Sequence, residues 1–212
     1  MLVESQTRTI GAGFGYLAAF LNVVAFVWYV VVIFGHDVTT NPITWWLWLG
    51  ETITGLLIYA DRTKDRSKWL LEATALVGVV IVGGYLAVEA VLGKVDVVLA
   101  SVETIDYWIT GLTIATFCFW LGTRKRLGAS AALWLFQVVL LLAAVPLIRA
   151  TWETPSAEPL GPWAIWTLAF VSLTICTRLR WDGKDVFIYA ASNMATHGII
   201  TAIVLVGVVS QV

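Results

Sequence analysis

The feature that most constrains this chain is the recurrence of long apolar stretches with almost no charge inside them. Seven can be read, over 10–34, 43–60, 69–91, 105–121, 129–150, 163–176 with its basic flank, and 187–209. A helix rises about 1.5 Å per residue and a bilayer's hydrocarbon core is about 30 Å thick, so roughly 20 such residues cross it. With 59% hydrophobic residues, 13% charged and a mean hydropathy of +0.86, the chain carries more apolar surface than a water-soluble domain of 212 residues could hide. The expected fold class is an all-α integral membrane protein of seven transmembrane helices, with no room for a soluble domain. The lipid bilayer is then its first partner.

A formal net charge of −1 speaks against nucleic acid. Cys118 and Cys176 both fall inside apolar stretches without metal-ligand neighbours, so neither a disulfide framework nor a metal site is expected. The segment Met1–Arg8 is short, and the stretch after it is too long for a signal-peptide core, so it reads as a retained first span.

The basic residues alternate with the spans. Arg62, Lys64, Arg66 and Lys68 follow the second, Arg124, Lys125 and Arg126 the fourth, and Arg178, Arg180 and Lys184 the sixth. With Arg8, 11 of the 13 Lys and Arg fall at one face, leaving Lys94 and Arg149 for the other. The positive-inside rule makes the basic face cytoplasmic, which places the N-terminus inside and the C-terminus outside. The loops of the opposite face carry His36, Asp37, Asn41 and Pro42, then Glu153, Pro155, Glu158, Pro159 and Pro162.

Both of those loops run into tryptophans, which suggests an internal repeat. Trp45-Trp46-Leu47-Trp48 opens the second stretch and Trp163-Ala164-Ile165-Trp166 the sixth, each a Trp-x-x-Trp, 118 residues apart. The basic exits Arg62 and Arg180 are also 118 apart. Leu21-Asn22-Val23-Val24 matches Phe136-Gln137-Val138-Val139 at an offset of 115. The expected organisation within one membrane domain is a three-helix unit over 1–100, a linker helix over 101–127 and a second three-helix unit over 128–212. An odd number of spans separates the units, so the repeat is parallel rather than inverted.

In this architecture the chain resembles the three-plus-one-plus-three superfamily that includes the PQ-loop proteins, the SWEET sugar transporters and the PnuC-type nicotinamide riboside transporters. The family's Pro-Gln corresponds to Leu21-Asn22 and Phe136-Gln137, which keep the amide and lack the proline, and Trp-x-x-Trp at 45/48 and 163/166 is similar to the tryptophan motif of the vitamin transporters. SWEET proteins place the N-terminus outside, opposite to the charge map here. The resemblance implies a seven-helix transporter.

Polar side chains deep in a span are costly, about 2.5–3.5 kcal/mol for a charge at the centre, and each needs a reason. Asn22, Glu51, Gln137, Asn193 and His197 all fall near mid-span, and Trp48 and Trp166 sit one turn inside the outer ends of theirs. These seven are the candidate substrate-binding residues. Glu51 offers hydrogen bonding or proton binding, His197 a second proton site, the amides both donors and acceptors, and the two indoles stacking surfaces. Against them stand plain structural roles: a paired glutamate, a histidine bonded to a carbonyl, amides holding helices together. Trp45, Trp46, Trp152 and Trp163 read as an interfacial aromatic belt, Asp106 and Tyr107 as interfacial, and Glu72 and Glu89 as groups reaching water from the ends of the third span. Gly11-x-x-x-Gly15 and the series Gly78, Gly83, Gly84 mark expected close helix contacts, and Pro146 an expected kink.

The expected function is a transporter or facilitator of a small polar solute, such as a sugar, nucleoside or vitamin, with protons a candidate co-substrate and a second copy of the chain a candidate partner. The alternative is a seven-helix receptor or structural subunit. No lysine falls within an apolar stretch to hold retinal, one histidine cannot ligate haem from both sides, and no Ser-His-Asp set, His-Glu-x-x-His or paired aspartates appear, so no cofactor and no enzymatic activity are expected.

Overall fold

In a computed structural model of the chain, residues 2–35, 42–92, 104–125 and 128–210 are described; His36, Asp37, Asn41, Lys94 and Arg126 lie outside them. Seven α-helices account for nearly all of the described residues: α1 Leu2–Gly35, α2 Pro42–Thr63, α3 Arg66–Val91, α4 Thr104–Thr123, α5 Gly128–Glu153, α6 Leu160–Leu179 and α7 Lys184–Val209. A 3₁₀ turn at Pro155–Ala157 joins α5 to α6. Every apolar stretch lies within one helix, because in lipid a backbone can satisfy its N–H and C=O groups along its own length only as a helix. Five helices, α1, α3, α5, α6 and α7, are long and apolar enough to cross a membrane. The other two are diluted by polar side chains, α2 by Glu51 and its threonines and α4 by threonines along its whole length. Large apolar side chains face outward around the bundle, among them Phe20 and Val31 on α1, Trp46 on α2, Val80 on α3, Trp108 on α4, Val138 on α5, Leu168 on α6 and Val206 on α7. Together these helices describe an all-α, membrane-embedded protein.

The packing order follows a simple scheme. α3 lies between α1 and α2, and α7 lies between α5 and α6. Across the middle, α1 packs along α6 and α2 packs along α5, while α4 rests on α5 and α2. The closest approach is at Gly15, where a β-carbon would fall 1.9 Å from the Ser67 carbonyl oxygen of α3. Gly78 admits the Phe26 ring in the same way, with a β-carbon 2.3 Å from it, whereas a β-carbon at Gly83 or Gly84 would meet nothing within 4 Å, although Gly83 is buried. α5 stays helical through Pro146 to Glu153, although the proline ring removes one backbone N–H from its ladder.

The ends of the bundle differ sharply. At one end Arg62 on α2 meets Asp185 on α7 at 2.6 Å, and Arg180, just past α6, meets Asp65, just before α3, at 2.7 Å. The two ion pairs are reciprocal, each joining an exit of one helix trio to an entry of the other. Lys68 is not in a loop as its sequence position suggests. It is fully buried in the first turn of α3, where its ammonium donates to the Arg180 carbonyl at 2.5 Å and pairs with Asp182. Arg180 also donates to the Arg8 carbonyl at 2.7 Å, and Trp120 of α4 donates to Asp61 at 3.1 Å, so the ends of α1, α2, α3, α4, α6 and α7 are joined here. At the opposite end the last turns of α7 close on Pro155.

Candidate functional site

A cavity of about 120 Å³ lies between the two helix trios, with walls from α1, α2, α3, α5, α6 and α7. Its polar lining comes from Asn22, Glu51, Glu72, Asn193 and His197 with Thr52, Ser192 and Thr196, and its apolar lining mixes aromatic with aliphatic side chains. Six of the seven candidates from the sequence, Asn22, Trp48, Glu51, Trp166, Asn193 and His197, border this one hollow.

Gln137 does not. Buried on α5, it donates from Nε2 to the Asp185 carbonyl of α7 at 3.1 Å and has no place in the cavity wall. Its sequence counterpart Asn22 makes the equivalent bond in the other trio, donating to the Leu71 carbonyl of α3 at 3.3 Å and to the Thr74 hydroxyl at 2.9 Å. Each amide thus ties the first helix of a trio to the third, a structural use worth about 1 kcal/mol per bond. Asn22 alone also reaches the cavity.

The carboxyls are the exceptional groups. Glu51 is 4% exposed and Glu72 is 6% exposed, and each keeps one oxygen, Oε1, without a hydrogen-bond partner among the described residues. Glu72 does not reach water at the membrane surface as its position near the start of the third stretch implies. It lies six residues into α3, about 9 Å along the helix, because the first turn of α3 is already tucked under the charged end by Lys68. It lines the cavity together with Tyr189 of α7. Tyr189 in turn lies against Tyr59 with ring centroids 4.5 Å apart, and this tyrosine pair forms the floor between the cavity and the ion pairs below.

Along α7, Tyr189, Asn193 and His197 follow one another at four-residue spacing and so share a face. Asn193 donates to the Tyr189 carbonyl at 2.9 Å. His197 Nδ1 lies 2.8 Å from the Asn193 carbonyl, which can only accept, so this nitrogen carries a proton and donates it. The imidazole is ringed by Phe170 at 4.6 Å, Trp163 at 5.5 Å and Trp166 at 6.4 Å.

The tryptophans close the other end of the hollow. Trp45 and Trp48 meet edge to face at 5.2 Å and 67°, and Trp163 and Trp166 at 5.1 Å and 66°, so the two sequence motifs have nearly the same geometry. Tyr29 bridges them, 5.2 Å from Trp45 and 5.5 Å from Trp166. Trp45 and Trp163 are therefore not an interfacial belt. They are 3% and 2% exposed inside the bundle, and Trp163 donates from Nε1 to Glu158 at 2.8 Å. Trp46 and Trp152 are exposed, as a belt requires. Burial pushes the Glu158 carboxyl above its ordinary value, and the Trp163 N–H partly offsets this.

Tyr189, Glu72 and Trp163 are among the lining residues that escaped the sequence reading. Tyr189 carried a signal, being four residues before Asn193 on the same helical face. Glu72 and Trp163 did not, since only the rotation of their helices separates an outward group from a cavity group. Among the described residues no set of three or more His, Cys, Asp or Glu is placed to hold a metal ion. No protein-family model, curated protein or solved structure matches this chain.

Proposed function

We propose that this chain is a membrane transporter or facilitator of a small polar solute, in which two three-helix units, α1–α3 and α5–α7, move against each other about the cavity and α4 links them. The observation that carries this reading is the cavity itself, which lies on the seam between the trios and presents two buried carboxyl oxygens with no hydrogen-bond partner among the described residues. An unmet buried acceptor costs about 1–3 kcal/mol, and a bundle whose only task was to be rigid would be more stable with apolar side chains there. The exchange pattern of the packing supports two equivalent units. Replacing α1, α2 and α3 by α5, α6 and α7 turns each principal contact within and between the trios into another observed contact. The reciprocal ion pairs and the tyrosine floor close the charged end in this structure, as one gate of an alternating-access cycle does.

Ala144, a small residue of α5 in the cavity wall, provides the test. In proteoliposomes loaded with a panel of solutes, the wild-type chain gives saturable flux. Ala144→Phe fills the hollow and is expected to lower that flux at least tenfold while the protein stays monodisperse. Flux unaffected by filling the cavity removes the cavity from the pathway, and no flux of any solute favours the receptor or structural reading. Protons are the proposed co-substrate on Glu51: Glu51→Gln then abolishes uptake driven by a proton gradient, and unchanged gradient-driven uptake withdraws that role.

The charged end is the proposed cytoplasmic face, with the N-terminus inside and the C-terminus outside. Ser67, at 2% exposure, cannot report this by labelling, whereas Lys64 and Trp152 stand well out of the bundle at opposite ends. In a Cys118→Ser background, Lys64→Cys in intact cells is expected to resist a membrane-impermeant maleimide that modifies Trp152→Cys. The reverse pattern inverts the topology.

A further inference from the structure

Resting on the reading of the cavity as a solute site, we infer that the solute is a small organic cation of the ammonium type, held by Glu51 and Glu72 against the tryptophan faces. The cavity wall holds these two carboxyls and no Lys or Arg. The cations beneath it are committed elsewhere, Arg62 to Asp185, Arg180 to Asp65 and Lys68 to Asp182. Apart from His197 the described wall offers no counter-charge, so a carboxyl there is either protonated or paired with a cation that the ligand brings.

The hydrogen-bond inventory points the same way. Several hydrogen-bond donors of the wall are consumed by the protein. Both amide hydrogens of Asn22 go to Leu71 and Thr74, an Asn193 amide hydrogen to Tyr189, and the Nδ1 proton of His197 to Asn193. The buried atoms of the wall that lack a partner among the described residues are both carboxyl oxygens, Oε1 of Glu51 and of Glu72, and they share the wall with aromatic rings. An anion would meet these oxygens with no Lys or Arg among the described wall residues to offset them. An alkylammonium group needs only acceptors, a negative charge and ring faces, the combination that recognises quaternary ammonium ligands. The volume of about 120 Å³ is near that of cavities that take up a single benzene ring, enough for a trimethylammonium head and too small for a disaccharide.

The probe is choline, set against its uncharged isostere in which carbon replaces the quaternary nitrogen, both titrated by calorimetry and thermal shift into the purified full-length chain in nanodiscs. Choline is expected to bind saturably and raise the melting temperature, the isostere to bind at least tenfold more weakly, and Glu51→Gln and Glu72→Gln each to weaken choline by about tenfold. Trp48→Leu, which leaves both carboxyls in place, is expected to weaken choline severalfold without changing the isostere. Equal binding of choline and the isostere, choline binding indifferent to both glutamate variants, or no choline binding at all overturns the inference. Flux assays on the same preparation separate it from the transport reading. Flux of neutral solutes without choline binding leaves transport standing and refutes the cation, whereas choline binding without flux of any solute keeps the cation site and refutes transport.

Discussion

Gly15→Leu is expected to leave little folded protein. A β-carbon at position 15 would fall 1.9 Å from the Ser67 carbonyl oxygen, 2.7 Å from its carbonyl carbon and 2.9 Å from its β-carbon. The obstruction is backbone, which no rotamer change can relieve. Ser67 is held besides by Asp65, which accepts from its N–H at 3.1 Å and from its hydroxyl at 2.8 Å. Relief would require α1 to withdraw from α3, and α1 is also the helix that packs along α6 across the centre. Ordinary overpacking costs about 1–3 kcal/mol, and a backbone collision at a three-helix junction exceeds that, against a total stability of about 5–15 kcal/mol. Gly13→Leu on the same helix, where a β-carbon would meet nothing within 4 Å, is the control. Size-exclusion profiles and thermal melts of the two variants in detergent check this, and a Gly15→Leu protein that melts like wild type would mean that α1 is not pressed against α3.

Breaking the reciprocal ion pairs is the second large effect. Arg62→Glu places two carboxylates face to face at the charged end and frees Asp185, whose side chain is 5% exposed. Removing a partner from a fully buried pair costs about 3–5 kcal/mol. Arg62 is 23% exposed, so the loss here is on the order of 2 kcal/mol. On the proposed transport reading, the expected functional signature is a charged end that no longer closes, giving added leak flux. The exchange Arg62→Asp with Asp185→Arg is expected to recover both the melting temperature and the seal, and failure of the exchange to improve on Arg62→Asp alone would deny that the pair acts as a unit. Acid probes the other pair. Burial opposes ionisation of Asp65, but the hydrogen bonds from Arg180 and Ser67 outweigh it and hold its carboxyl below the ordinary value of 3.8. A depressed carboxyl contributes stability that is fully present above its unfolded value and is lost as pH falls through its folded value. Thermal stability should therefore be insensitive to Asp65 titration near neutrality and fall below about pH 4, and Asp65→Asn should flatten that acid limb.

Helical periodicity brought six of seven candidate residues to the same hollow, because spacing along a helix decides which side chains share a face and how deep they lie. It failed wherever the rotation of a helix about its own axis mattered. Gln137 matches Asn22 in sequence and in bonding, yet its amide is spent on the Asp185 carbonyl and stays out of the cavity. Glu72 looked like a surface group by counting from the end of its apolar stretch, and the buried Lys68 shows why that count misleads. Trp45 and Trp163 stand where belt residues stand in the chain, but the bundle closes over them.

The order of apolar and basic residues alone determined that this is a helical membrane protein, with its basic groups gathered toward one end, because lipid admits only internally bonded backbone and tolerates few charges. Which faces of those helices meet was decided only by the tertiary structure. Lipid covers an apolar surface as readily as another helix does, so hydrophobic patterning cannot choose the contact. That choice rests on backbone fit at Gly15, on the crossed Arg–Asp pairs, and on the carboxyls that share a cavity between the trios.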